Sequence, residues 1–408
     1  MSRFPFRYVL PLIVLLACAP MHYGQRPDPC ARFAIKLDRI DVAQPNDENQ
    51  VPATFAEPVS EEAEVIRVET DLVITEFEVR DRNGKRVPGL RIGDFLVEED
   101  GVRQKIETFS YADSRHGIGR SIILVIDYSQ SQRPYFETSV NAAKVLVDLL
   151  DPIDKMAIVT DDVDLLVDFT SDKARLKHSL DLLRLRVADG DFGKSRQLTA
   201  LFMAVNELFE AGDKRPVVIF QTDGDEMARL LTERSSAKEK CPGTLRKFSD
   251  LKSALERAGT TVYSIIPGIR LDNNERRPQK AEKDLDFERV FEAEAKTRFE
   301  KRDVKISSIV REFHKHWAKW RVRDALAIAE LARTTGGKYE YLDSPEKAEE
   351  VYLRILNEMN ERYLIGYYPT NRSGDGERRS IRIGLRPGLP YSVNGKKGYT
   401  PRKRSRDR

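Results

Sequence analysis

The sequence predicts an α/β fold: a doubly wound, mainly parallel sheet inserted in a small β-sandwich built from both flanks. Three observations predict it. Between about Arg120 and Arg362, apolar runs of strand length alternate with amphipathic stretches of helix length, a rhythm that packs as a parallel sheet with helices on both faces. On either side of that block the apolar period drops to two, with Asn-Gly and Asp-Gly turns. Each flank is too short to bury a full core alone. One sandwich drawn from both flanks, with the two ends of the α/β unit close together, is the simplest arrangement.

The elements follow in chain order. Arg3 and Arg7 precede "YVLPLIVLLACA", an apolar run of about 12 residues that is short for a membrane span and reads as the core of an export signal over residues 1–19. Two cleavage patterns compete. "ACA" (Ala17 to Ala19) fits the small-x-small rule, but Pro20 would follow the cut. "LLAC" (Leu15 to Cys18) matches a bacterial lipobox with Leu16 at an unusual place, and would make Cys18 a lipidated N-terminus. The lipoprotein reading is favoured, and an uncleaved anchor is the third option. All three place the folded part outside the cytoplasm, in the periplasm or on the cell surface. Residues 20–62 are polar and contain prolines, the composition of a flexible tether.

Residues 63–117 form the first β-part. "VIRVETDLVITEFEVRD" alternates and is rich in β-branched residues. Asn83-Gly84 is a turn, and "DFLVEEDGVRQKIETFSY" reads as two further strands about Asp100-Gly101. The α/β unit, residues 118–362, opens on "SIILVID", a strand without a polar break. Helix "YFETSVNAAKVLVDLL" and strands "DKMAIVT" and "DLLVDFT" follow, the last at an edge. "SDKARLKHSLDLLRL" is a helix with Ser171 as its cap. "LTALFMAVNELFEAG" is a helix closed at Gly212, and "RPVVIFQTDG" a strand. The pairs "LRKFSDLKSALERAG"/"TTVYSIIPG" and "RDALAIAELARTTGG"/"KYEYL" repeat helix then strand. "SPEKAEEVYLRILNEMNERY" is the last helix, with Pro345 in its first turn. Residues 270–320 interrupt the order with a charged helical insertion. Its aromatics, with Trp317 and Trp320, form either a partner surface or packing for its own domain. Residues 363–400 return to β texture as the second part of the sandwich, and 401–408 are a basic tail.

Composition excludes some functions. Lys and Arg number 69 against 66 Asp and Glu, a net charge of +3. Near balance argues against nucleic acid as a partner, and the basic tail reads as a solvated end. The three cysteines, Cys18, Cys30 and Cys241, lack zinc-site spacing, and a Cys30–Cys241 bridge is permitted but not implied. His314 and His316 stand two apart in a helical pattern and so point apart.

Ligands of open parallel sheets bind beyond the carboxyl ends of the strands. Asp127 ends the first α/β strand, and Ser129 and Ser131 occupy the loop after it. Thr199 stands at the start of a helix, and Asp223, between Thr222 and Gly224, follows another buried strand. Singly these are ordinary cap and turn residues. Together they are two carboxylates and three hydroxyls, all hard oxygen donors suited to Mg²⁺, Mn²⁺ or Ca²⁺. Neutral hydroxyls leave such a cation with residual charge, and with a position open to an external acid.

"DYSQS", "LT" before a helix and "TDGD" after a strand resemble the metal-ion-dependent adhesion site of von Willebrand factor type A domains, in the same order and register. The resemblance covers residues 118–362. The flanks extend it to the bacterial von Willebrand factor A-related proteins, which carry β-segments at both ends. It implies a Rossmann-like α/β domain and a binding function. Ser129 and Ser131 would contact the cation directly, and Thr199 directly or through water. Asp127 and Asp223 would act mostly through water and hydrogen bonds to the serines. A protein ligand would supply an exposed Asp or Glu. Gln130 and Leu198 depart from the glycines common at those places. The implied protein is exported, tethered to the membrane by an N-terminal lipid or anchor, and is not an enzyme. Two alternatives are a metal-independent scaffold and a metal-dependent phosphohydrolase. The second lacks the carboxylate expected where Ser129 stands. A nucleotide site is disfavoured, because Tyr128 and Gln130 stand where a Gly-rich loop would approach phosphate.

Overall fold

The computed structural model describes residues 36–40, 72–111, 118–210, 215–226, 245, 247–271, 278–279 and 321–401. The export signal with Cys18, Cys30, Cys241, nearly all of the 270–320 insertion and most of the tether and basic tail lie outside them. No helix among the described residues is long and apolar enough to cross a membrane.

The centre is a seven-stranded sheet in the order β1-β8-β7-β6-β9-β10-β13. These strands are β1 (Asp38–Arg39), β6 (Ser121–Ile126), β7 (Lys155–Thr160), β8 (Asp164–Thr170), β9 (Pro216–Gln221), β10 (Thr261–Pro267) and β13 (Tyr339–Leu342). Only β7 and β8 pair antiparallel; every other neighbour is parallel. Every residue of β6 is buried, because both faces of the sheet are covered. Alternation decides which cover each side chain meets. Ile122, Leu124 and Ile126 pack under α1 (Arg133–Asp148), α2 (Lys173–Ala188) and α6 (Ala348–Asn360). Ile123 and Val125 face α3 (Gln197–Glu207), α4 (Phe248–Arg257) and α5, residues 321–334. A two-residue ribbon, β11 (Arg270–Leu271) with β12 (Pro278–Gln279), follows β10.

The sandwich pairs one sheet, β16-β2-β14-β5, with a second, β17-β15-β3-β4. The first flank supplies β2 (Val73–Arg80), β3 (Phe95–Glu99), β4 (Val102–Gln104) and β5 (Ile106–Tyr111). The second supplies β14 (Tyr363–Tyr367), β15 (Arg379–Leu385), β16 (Ser392–Gly395) and β17 (Gly398–Tyr399). Tyr363 sits at the heart of its core. Its ring lies 4.4 Å from that of Tyr111 and 5.6 Å from that of Phe77, and its hydroxyl donates to Val87 O at 2.7 Å. Tyr363 of β14 also pairs in register with Tyr111 of β5. The chain therefore enters and leaves the α/β unit from adjacent strands.

Three local expectations change. Ser171 does not cap α2. Asp172 does, its carboxylate accepting from the backbone N–H of Ala174 and Arg175 at 2.9 and 3.1 Å; a carboxylate at a helix N-terminus gains from the dipole as well as the bond. The stretch after Gly101 is two strands rather than one, broken at Lys105, and β4 and β5 join opposite sheets. Within residues 36–40, inside the segment read as tether, Asp38–Arg39 forms an added edge strand instead. Asp38 N–H donates to Val163 O at 3.0 Å, and Leu37 is buried in the core.

Candidate functional site

Strand order reverses at β6: the chain passes to β7 on one side and later to β9 on the other. A crevice opens at the carboxyl ends of strands at such a point. Asp127 leaves β6 there, its N–H donating to Gln221 O of β9 at 3.1 Å. Asp223 leaves β9 two residues after Gln221. Gly224 next to it adopts φ +77, and a Cβ there would lie 2.9 Å from Ile328 Cγ1 of α5, so the loop needs glycine.

Asp127 is fully buried, and both its oxygens are saturated. Oδ1 accepts from Ser129 N–H at 3.0 Å and Ser129 Oγ at 2.6 Å. Oδ2 accepts from Thr222 Oγ1 and Gln197 Nε2, both at 2.8 Å. Ser129 Oγ stands 3.2 Å from Ser131 Oγ, and Ser131 Oγ donates to Asp223 Oδ2 at 2.9 Å. Four of the five predicted residues thus form one connected set. The hydroxyl protons of the serines point inward, towards carboxylates, which leaves oxygen lone pairs as neutral donors.

Thr199 is brought to the same end of the sheet but is held differently. Its hydroxyl donates to Glu226 Oε1 at 2.5 Å. Glu226 Oε2 accepts from the N–H of Leu198 and Thr199 at 2.6 and 3.0 Å. Glu226 is therefore the group that satisfies the exposed donors at the start of α3. Gln197 connects this corner to the rest, its Nε2 donating to Asp225 Oδ1 at 2.6 Å as well as to Asp127.

Oxygen atoms of Asp127, Asp223 and Asp225 lie within 4.8 Å of one another. Burial, then the charges of Asp161, Asp223 and Asp225, push Asp127 well above the usual carboxylate range. Asp223 Oδ1 is buried without a hydrogen-bond partner among the described residues. An unpaired buried carboxylate oxygen is costly, and a shared cation would relieve both the orphan oxygen and the mutual repulsion. By this test the donor set fits a hard divalent ion.

Asp161 supports the first loop from behind. Its carboxylate accepts from Tyr128 N–H at 3.0 Å and Ser195 N–H at 2.8 Å. Burial pushes it up to about 7 in spite of those two bonds, and burial likewise pushes Asp324, on α5, up to about 6. The unfolded Asp161 would lose its proton near 3.8. Between these values the folded state holds more protons, so stability falls as pH rises. Thermal denaturation in chelator from pH 4 to pH 7 is expected to show a falling midpoint; a rising one would assign the titration elsewhere.

The sequence reading did not single out Asp225, Gln197, Glu226 or Asp161. Asp225 and Glu226 were visible only as acids after an Asp-Gly turn, which usually means a solvated loop. Gln197 and Asp161 carried no signal, since their partners lie far off in the chain.

Strand order 3-2-1-4-5-6 within the unit, one antiparallel edge pair, and the Asp-x-Ser-x-Ser and Thr-Asp-Gly loops side by side at the reversal point match the expected domain. By this strand order and these loops the α/β unit has a von Willebrand factor A-like fold. No family model matches the chain, and no curated protein does. Among solved structures, proximal thread matrix protein 1 from the mussel byssus is 14% identical with a TM-score of 0.36, covering 60% of this chain; this chain spans 48% of that one. BatB from Bacteroides thetaiotaomicron is 17% identical with a TM-score of 0.31, over 59% of this chain and 98% of that one. The von Willebrand factor domain of the type V pili tip protein Mfa5 from Porphyromonas gingivalis is 19% identical with a TM-score of 0.23, over 26% and 38%.

Proposed function

We propose that the protein is an exported binding module that recognises a protein ligand through a divalent cation, Mg²⁺, Mn²⁺ or Ca²⁺, bridging to an exposed Asp or Glu of that ligand. Asp127, Ser129, Ser131, Thr199 and Asp223 are the residues proposed to hold it. The observation that carries the reading is Asp223 Oδ1, buried and unpaired beside two further carboxylates and two inward-pointing serines. When bound, the cation supplies a positive charge able to accept an external carboxylate. The chain's own part is to position donors: Asp127 orients Ser129, and Asp223 orients Ser131. Saturated hydroxyl protons favour coordination over nucleophilic attack, so the proposed activity is binding rather than turnover. The N-terminal signal supports an envelope location with a lipid anchor at Cys18.

Calorimetric titration of Mg²⁺, Mn²⁺ and Ca²⁺ into wild type and Asp223→Ala tests this. Wild type is expected to release or absorb heat saturably, and to gain about 2.7 kcal/mol of stability at a hundredfold excess over Kd. The variant is expected to show neither. Equal heats from the two proteins would leave the metal-independent scaffold as the better reading.

A further inference from the structure

We infer that β1 is a positioning element of the cation site, acting through Val163 on the turn that holds both ligand loops. The inference rests on the cation reading above and adds to it a segment that supplies no ligand. Val163 lies in the turn between β7 and β8 at φ +72 and is buried. That region suits glycine or asparagine, and a β-branched side chain is rare there. Such a conformation persists only where its surroundings impose it. One support comes from within the turn, where Val163 N–H donates to Thr160 O at 3.0 Å. The other is β1. Asp38 N–H donates to Val163 O at 3.0 Å, and Leu37 shares an apolar cluster with Val163 and with Leu198 and Leu201 of α3. Leu37 N–H also donates to Oε2 of Glu207, the last residue of α3, at 3.4 Å.

The two residues before Val163 face the site. Asp161 Oδ1 accepts from Tyr128 N–H, and Asp162 Oδ2 accepts from the Tyr128 hydroxyl at 2.7 Å. Tyr128, buried and standing between Asp127 and Ser129 in the chain, is thus held at both ends. On the other loop, Lys194 N–H donates to Asp162 Oδ1 at 2.6 Å, Ser195 N–H to Asp161 Oδ2 at 2.8 Å, and Arg196 N–H to Asp161 O at 3.1 Å. Ser195 itself stands at φ +54. Arg196 leads directly into α3 and Thr199. Asp161 and Asp162 therefore fix the serine loop and the start of α3 relative to each other, and Val163 fixes the direction of both. Without β1, Val163 loses the bond to its carbonyl and relaxes towards negative φ, which turns Asp161 and Asp162 away from the two loops.

Linkage makes the effect reciprocal. If docked β1 favours the cation by some factor, bound cation favours docked β1 by the same factor. Occupancy of the site is then felt at residues 36–40.

Calorimetry with Mn²⁺ compares wild type, Leu37→Asp and the milder Leu37→Ala, each checked for folding by circular dichroism. Arg39→Ala is the control, since Arg39 makes an exposed ion pair with Asp168. Leu37→Asp is expected to bind about tenfold more weakly, Leu37→Ala to lose less, and Arg39→Ala to match wild type. Hydrogen exchange of wild type, read by mass spectrometry, gives the converse. The Asp38 and Ile40 amides are bonded to Val163 O and Leu165 O, and saturating Mn²⁺ is expected to slow exchange of this segment by about the same tenfold. Glycine adopts positive φ without strain, so on a Val163→Gly background Leu37→Asp is expected to cost about threefold or less. Unchanged Mn²⁺ affinity in both Leu37 variants, or exchange at 36–40 that does not respond to the ion, would overturn the inference while leaving the cation site intact. An undiminished loss on the Val163→Gly background would overturn the part given to Val163. No Mn²⁺ bound by wild type would overturn the cation reading itself, and this inference with it.

Discussion

Glu76→Gln is expected to lower stability by about 3–5 kcal/mol, the usual cost of removing one partner from a buried charge group. Glu76 lies on β2 of the sandwich and is buried. Arg215, which leads into β9 of the α/β unit, donates to it through Nε at 2.5 Å. Arg362, also buried, joins α6 to β14 and donates through Nη2 to Gly336 O at 2.6 Å and to Glu76 O at 3.4 Å. Burial alone would raise the Glu76 carboxyl. Arg215, Arg362 and Lys396 together outweigh it and hold the group below its ordinary 4.5. Its contribution is therefore complete above 4.5 and is lost as pH falls below that value. Urea unfolding at pH 7 checks the magnitude. A loss under about 1 kcal/mol would mean that solvent reaches these groups and that the pair behaves like a surface one.

The same cluster ties the two architectures to each other. Glu358 of α6 pairs with Arg80 of β2 at 3.1 Å and Lys338 at 2.7 Å, and also with Arg86. A charged interface of this kind was not legible in the sequence. Each residue, read alone, is one more polar residue in a chain that is 33% charged. What was legible is what local chemistry reports. The unbroken apolar run at 121–126 meant burial on both faces, and β6 is buried throughout. The alternating flanks meant strands, and they form two sheets, although β2 and β14 are buried at consecutive positions rather than on one face alone. The nearness of Asp127, Ser129, Ser131 and Asp223 was legible because all four lie in the loops that leave β6 and β9, adjacent strands whose ends bring them together. Thr199 was placed at the right corner, but its Glu226 partner was not foreseen, because that bond depends on how two loops close. Leu37 and the edge strand beside it failed for a related reason. Two residues of pairing carry no period, and their partners on β8 lie far along the chain.

Gly193→Ala is expected to weaken cation binding about tenfold or more and to cost about 1–3 kcal/mol of stability, the range for overfilling a packed site. Gly193 lies against the site rather than in it. It bridges Ser129 as an isolated pair, and its N–H donates to Tyr128 O at 3.3 Å. A Cβ on it would fall 2.5 Å from Asp161 Cγ and inside the contact distance of both carboxylate oxygens. A long exposed side chain could swing aside, but Asp161 is fully buried and clamped by the N–H groups of Tyr128 and Ser195. Either the clamp breaks or the bridge to Ser129 does. Breaking the clamp frees the backbone between Asp127 and Ser129; breaking the bridge moves Ser129 directly. Both displace a serine whose oxygen must stay within a few tenths of an ångström of a cation to bind it. Gly93→Ala is the matched control, because a Cβ there meets only Arg386 at an ordinary 3.8 Å. Calorimetric titration and urea unfolding of both variants separate the two effects. Gly193→Ala with reduced stability but an unchanged Mn²⁺ isotherm would confine Asp161 to supporting the fold. Loss of the isotherm in a folded variant would make it the residue that sets the geometry of the Asp127–Ser129 loop.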